Sequence, residues 1–220
     1  MKRIPTTELL DSDSGTPEEI SASLADLRSI NRKFGGAATT LAMVERVAEA
    51  TGSGRLSLLE VAAGSGDVPC YAREKLSVRG VDLEVTLLDR SALHVGNGGR
   101  SVVGDALALP FSNASFDLVS CGLFAHHLSS NQVVQFVNEG LRVAKCAVLI
   151  NDLIRHPLHL MMVYAGWPLY SSRLTRHDAP ASVRQAYTIP EMQSMLRQTT
   201  ASRVEITRHY LFRMGVIAWK

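Results

Sequence analysis

The sequence is poor in cysteine, has almost no charge bias, and lacks a long apolar run. Its three cysteines, Cys70, Cys121 and Cys146, are far apart and odd in number. They fit neither a zinc knuckle nor a disulfide framework. Lysine and arginine total 23 against 21 acidic residues, so there is no basic footprint for nucleic acid. The longest apolar run, Leu158 to Tyr170, is too short to span a bilayer and contains Gly166 and Pro168. The start, Met1-Lys2-Arg3-Ile4-Pro5, turns polar at once and has no signal-peptide core. Internal repeats and low-complexity tracts are also missing. A soluble cytoplasmic protein is the expectation, with 220 residues enough for one well-packed domain.

What is present is an ordered alternation of helices and strands. Glu8 to Gly15 reads as a polar leader. Thr16-Pro17-Glu18-Glu19 is a helix start: a capping residue, proline at the first position, acids in the first turn. Ile20, Leu24, Leu27, Ile30 and Phe34 follow at helical spacing, and a second helical pattern spans Ala38 to Ala50. Strand patterns then occupy Leu56–Val61, Leu83–Leu88, Ser101–Val103, Phe116–Cys121 and Cys146–Ile150, with helical patterns at Val68–Leu76 and Asn131–Val143. Strands separated by helices imply right-handed crossovers and a parallel sheet. Leu153 to Pro190 breaks the alternation. A segment that long should hold its own helix or lid, with Leu158, Met161, Met162, Ala165 and Leu169 as an apolar face. A short helix at Glu191–Gln198 and two closing strands, Arg203–His209 and Phe212–Trp219, suggest an antiparallel hairpin at the end.

The stretch Leu56 to Asp67 organises the rest. An apolar strand runs into Glu60, then into a turn of small residues that opens a helix. Gly64 and Gly66 allow positive φ and close approach of a ligand to the backbone. This is a nucleotide-binding edge. Glu60, Asp89 and Asp105 each end a successive strand, so all three should line one crevice at the carboxyl edge of the sheet. Asp89 is placed to accept hydrogen bonds from ribose hydroxyls, and Asp105-Ala106 to read adenine. A nicotinamide dinucleotide would want a small residue three positions after Gly66, where Pro69 stands.

These residues resemble the class I S-adenosylmethionine-dependent methyltransferases, notably the ubiquinone- and menaquinone-type members. Leu59-Glu60-Val61-Ala62-Ala63-Gly64-Ser65-Gly66-Asp67 is similar to the family's first motif, and Val85-Thr86-Leu87-Leu88-Asp89 to its ribose-binding strand. Gly104-Asp105-Ala106-Leu107-Ala108-Leu109-Pro110-Phe111 and Ser115-Phe116-Asp117-Leu118-Val119 are similar to the adenine turn and fourth strand. Leu123-Phe124-Ala125-His126-His127-Leu128 resembles the segment after that strand. Ala62 stands where the family usually has a glycine, and Ala144-Lys145-Cys146 replaces its Pro-Gly-Gly turn.

The resemblance implies an α/β, Rossmann-like class I methyltransferase fold: a seven-stranded, mostly parallel sheet with an antiparallel last strand and a helical cover. Residues 1–52 would be the N-terminal helical cover, and 53–220 the methyltransferase domain with a lid-like insertion at about 153–190. S-adenosylmethionine is the implied cofactor, held by Glu60, Ala62, Gly64, Gly66, Asp89, Arg90, Asp105, Ala106, Cys121 and Arg32. The implied reaction is methyl transfer to a small, largely apolar acceptor, at a phenolic or quinol oxygen or, second, an aromatic carbon. The implied partner is that small molecule, with no nucleic acid and no membrane span, the chain acting alone or as a homodimer. A cofactor-binding protein without transfer activity remains the alternative.

A phenol has a pKa of about 10, so a base near neutral pH would help. His126, His127 and His177 are the candidates, each against a structural role, with Asp178 able to orient His177. Trp167, Tyr170 and Tyr187 are candidate acceptor contacts. No metal is expected, because strand four ends in Cys121-Gly122 without an acid and Asn151-Asp152 reverses the acid–amide order of catechol-type enzymes. Cys121-Gly122-Leu123-Phe124 also lacks the prolines of base-directed amino-methyltransferases. Pro69-Cys70 resembles the cytosine-C5 dipeptide but follows the wrong motif, so Cys70 reads as a helix residue.

Overall fold

The structure, a computed structural model, describes residues 1–12, 14–91 and 100–220. Its centre is β1 (Arg55–Val61), in which Leu56, Leu58, Leu59 and Val61 are all buried. Successive strand side chains point to opposite faces. Leu56 and Leu58 enter one core with Leu83, Val85, Leu87 and Leu118; Leu59 and Val61 enter the other with Val119, Cys121, Phe136 and Val148. A strand covered on both faces has no polar side, which explains the unbroken apolar run. Burying each such leucine contributes roughly 2 kcal/mol.

The other strands are β2 (Asp82–Asp89), β3 (Arg100–Val103), β4 (Phe116–Gly122), β5 (Ala144–Leu153), β6 (Arg203–His209) and β7 (Arg213–Trp219). Their order is β3-β2-β1-β4-β5-β7-β6. β1 to β5 pair in parallel, while β7 runs antiparallel to both β5 and β6. This is the expected Rossmann-like methyltransferase architecture. One consequence matters for function: because β7 is reversed, its first residue, Arg213, lies at the edge where the parallel strands end, paired with Leu153.

The first core is closed by α2 (Gly36–Thr51) and α3 (Asp67–Ser77), the second by α4 (Ser130–Val143) and α7 (Ile189–Leu196). α1 (Pro17–Lys33) starts at the expected cap: Thr16 accepts from the Glu19 N–H, and the Glu19 carboxylate accepts from the Thr16 N–H at 3.1 Å. α1 packs on α6 (Arg173–Gln185). Ser23 and Thr175 hydroxyls meet at 3.1 Å, and the Asp26 carboxylate accepts from the Ser171 and Ser172 N–H groups at 2.9 and 3.0 Å.

Two expectations change. The segment after β5 holds two helices, α5 (Pro157–Ala165) and α6. The apolar face expected on this segment points outward: Met161 on α5 is 62% exposed and Leu169, beyond the helix end, 79%, with Leu158 and Met162 also exposed. The inward stripe is instead His159 and Val163, four residues apart on one side of the helix. The polar leader is also not a free leader. Glu8 is buried, and the Leu9 and Leu10 N–H groups donate to the Asp178 carboxylate at 2.8 and 3.0 Å. No described helix is long and apolar enough to cross a membrane.

Candidate functional site

A cavity of about 610 Å³ lies over the carboxyl ends of β1, β2, β3, β4 and β5, roofed by α1, α5 and α6. Its volume is in the range of small-molecule sites. The turn after β1 forms one wall. Ala62, Gly64 and Gly66 all take left-handed φ, at 52°, 51° and 71°. For the non-glycine Ala62 this costs roughly 1 kcal/mol, and Leu123 at the end of β4 repeats it with φ 55°. Both strained residues line the cavity. Gly66 carries a second constraint: a Cβ there would sit 2.7 Å from Leu87 Cδ1, so a side chain would displace that buried leucine.

Asp89 ends β2 and holds this turn. Its Oδ2 accepts from the Gly64 N–H at 2.9 Å, and its Oδ1 from the Ser91 N–H at 3.0 Å. Asp105, exposed after β3, accepts from the Leu107 N–H at 2.9 Å. Arg90 and Ala106 line the same wall. Glu60 is 3% exposed, and its Oε2 is buried without a hydrogen-bond partner. Burial pushes its carboxyl up to about 7. A buried carboxyl with a vacant oxygen facing a cavity is suited to a cationic or donor group of a ligand.

On the β4 side, the peptide N–H of His126 donates to Asp152 Oδ2 at 2.8 Å, and its Nδ1 is 2.6 Å from Asp152 Oδ1. Its Nε2 is 3.5 Å from Glu8 Oε1. Burial alone would lower this imidazole, but the Asp152 and Glu8 carboxylates outweigh it and raise it to about 10. Both ring nitrogens of His126 thus face carboxylates, Asp152 on one side and Glu8 on the other, and both favour the protonated ring. His127 differs. Its Nδ1 lies 2.7 Å from Asp11 Oδ2, and its Nε2 is 4.0 Å from Glu8 Oε2. The Asp11 contact holds the ring through Nδ1 and turns Nε2 toward Glu8. Ligand atoms of Glu8, His126 and His127 fall within 4.8 Å of one another, a spacing that could hold a metal ion. Ser182 Oγ and Gln185 Nε2 also donate to Glu8 Oε1 at 2.6 and 2.7 Å, and His126 Nε2 faces the same oxygen at 3.5 Å.

Several expected contacts lie elsewhere. His177 is half-exposed and paired with Asp178 at 2.7 Å, but outside the cavity, because the Asp178 side of α6 faces the Leu9–Leu10 backbone. Cys121 points into the core, where burial raises its thiol well above its ordinary value; Gly122 lines the cavity in its place. Arg32 is exposed, and Arg28 and Asn31 reach the cavity from the inner face of α1. Trp167 donates to the Arg176 carbonyl on the outer surface. Tyr187 is buried, donates to the Leu128 carbonyl at 2.7 Å and lies under Arg3. Tyr170 does line the cavity.

Cavity residues outside the sequence expectations include Glu8, Asp11, Arg28, His159 and Arg213. His159 is buried; its Nδ1 is 3.1 Å from the Ile154 carbonyl. Burial lowers its pKa, with Arg213 and His156 adding to the effect. Arg213 carried a signal: a lone cation at the head of an apolar strand. Glu8 carried none.

A methyltransferase domain family matches residues 59–147. No curated protein matches the sequence. Among solved structures, the plantazolicin methyltransferase BpumL, in complex with a monoazolic desmethylPZN analog and SAH, superposes with a TM-score of 0.71 at 12% identity, covering 97% of this chain and 94% of that one. A SAM-dependent methyltransferase from Aquifex aeolicus gives 0.55 at 18% identity, covering 80% and 88%. A chain from Nostoc punctiforme PCC 73102, named for O-methyl transfer, gives 0.57 at 15% identity; 84% of this chain spans 56% of that one's length. These likenesses bear on the fold. The domain match spans residues 59–147, from β1 into β5, and is the part of this chain that is similar to known methyltransferase domains.

Proposed function

We propose that the protein transfers the methyl group of S-adenosylmethionine to a phenolic or quinol oxygen of a small, largely apolar acceptor. The single observation that carries this is the continuity of the cavity. One cavity joins Asp89 and Asp105 at the β2–β3 end to His127 beyond β4. In this reading Asp89 takes the ribose hydroxyls, Asp105 and Ala106 the adenine, and Glu60 the methionine end. The acceptor sits under α5 and α6, beside Tyr170 and Val163. Residues 1–52 and 153–190 act as a cover over it, held together by Asp26, Glu8 and Asp178.

The acceptor oxygen attacks the sulfonium methyl in line. A C–O bond forms, the C–S bond breaks with its electrons returning to sulfur, and the hydroxyl proton passes to His127 Nε2. Asp11 orients that ring. A base so placed contributes on the order of 10²–10⁴, and holding the reactants in line contributes further. The test is turnover of S-adenosylmethionine across a panel of phenols and quinols, with and without a chelator. Methylated product under both conditions supports the reading; cofactor binding without product across the panel would leave a binding protein instead.

A further inference from the structure

Arg213 stands apart from the machinery above. It is 1% exposed, yet it lines the cavity. One guanidinium nitrogen, Nη2, donates to Asn31 Oδ1 at 2.9 Å. The other, Nη1, is buried with no hydrogen-bond partner. Among the described residues no carboxylate is in salt-bridge contact with it. Asp152 supports it only at a distance, since both Asp152 oxygens are taken by His126 and the Leu153 N–H. Burial, and then Arg213 itself, lower the pKa of the nearby His159.

A buried cation without a contacting anion is costly. A guanidinium matches a carboxylate with two parallel hydrogen bonds. We propose that Arg213 binds a carboxylate carried by the methyl acceptor, so that the substrate is a small acid with an apolar body. This deepens the reading above and rests on the cavity holding a methyl acceptor. The apolar body would lie against Leu153, Val163 and Val183, which line the same space.

Strand order assigns the carboxylate to the acceptor rather than to the cofactor. From β1 the sheet runs through β4 and β5 to β7. Three strand spacings place Arg213 roughly 14 Å from β1 across the sheet, and farther from Asp89 on β2. The methyl donor occupies one end of the cavity, and Arg213 marks the other.

The test uses protein saturated with S-adenosylhomocysteine and titrated with benzoate and with benzamide, its uncharged counterpart. Wild type should bind benzoate at least about tenfold more tightly than benzamide. Arg213→Met should lose roughly ten- to hundredfold in benzoate affinity and leave benzamide unchanged, with Arg213→Lys between. Without ligand, Arg213→Met should melt no lower than wild type, because a buried charge is gone; an arginine that serves only the fold would lower the melting temperature.

Absence of saturable benzoate binding at millimolar concentration, equal affinity for the two probes, or equal benzoate affinity in wild type and variant would overturn the proposal. If Arg213→Met does not fold, Arg213→Lys and the wild-type benzoate-to-benzamide ratio decide it. A second arm compares S-adenosylhomocysteine with 5′-deoxy-5′-methylthioadenosine, which lacks the amino-acid end. A tenfold loss for the first alone in the Arg213 variants would give the arginine to the cofactor and overturn the acceptor assignment. Failure of wild type to bind S-adenosylhomocysteine would instead sink the underlying reading of the cavity.

Discussion

Asp89 Oδ2 accepts the Gly64 N–H at 2.9 Å, tying the end of β2 to the turn after β1. One carboxylate thus shapes the turn and borders the cavity where a ribose would lie. Asp89→Ala should weaken binding of S-adenosylmethionine by about 1–3 kcal/mol, the cost of leaving buried partners unpaired. Calorimetry on the variant checks this, and an unchanged affinity would mean that Asp89 does not reach the cofactor.

Glu60 makes stability depend on pH. Burial raises its carboxyl from 4.5 to about 7 in the folded chain. Its favourable contribution is complete below about pH 4.5 and is lost as pH rises through 7, a change on the order of 3 kcal/mol. Glu60→Gln should flatten that part of the profile and be more stable than wild type at pH 8 without ligand. Denaturant unfolding at pH 5 and pH 8 reads the difference; parallel profiles would show that the carboxyl is solvated.

The Asp152–His126 pair should act in the opposite sense to a catalytic pair. With His126 raised to about 10, the pairing is fully present below about 6.5 and fades as pH climbs through 10. Asp152→Asn leaves a buried imidazole without its anion and should cost about 3 kcal/mol of stability. Urea titrations at pH 6 should show the loss, with a smaller gap between variant and wild type at pH 10.

His127 should behave as the base. His127→Ala should lower kcat by roughly 10²–10⁴ with cofactor affinity unchanged. The deficit should shrink toward pH 10, where a phenol ionises unaided. His177→Ala, outside the cavity, should leave kcat within about twofold. A His127 variant with wild-type kcat would pass the role to His159, whose Nε2 carries no ring proton when Nδ1 donates to Ile154.

The parts of this molecule set by local pattern were legible in the sequence. β1, the Gly64–Gly66 turn and the capping box at Thr16 each follow from neighbours within a few residues. The acids Asp89 and Asp105 were legible because strand ends define one sheet edge. The acceptor end was not. Glu8 reaches His126 across 117 intervening residues, and no local pattern marks a polar leader as buried. α5 misled because its apolar residues outnumber its inward ones; His159 and Val163 face the cavity while Met161 and Met162, and Leu169 beyond the helix end, face solvent. Arg213 heads the expected antiparallel last strand, but no local pattern pairs it with Leu153 at the end of β5 beside the cavity.

The central claim is that this cavity binds the methyl donor through the acids at the ends of β1, β2 and β3. Calorimetric titration of the wild-type chain and of Asp89→Ala with S-adenosylhomocysteine tests it most directly. One saturable site per chain in wild type, weakened by about 5- to 150-fold in the variant, is the predicted result. No binding to wild type, or equal binding to both, would contradict it.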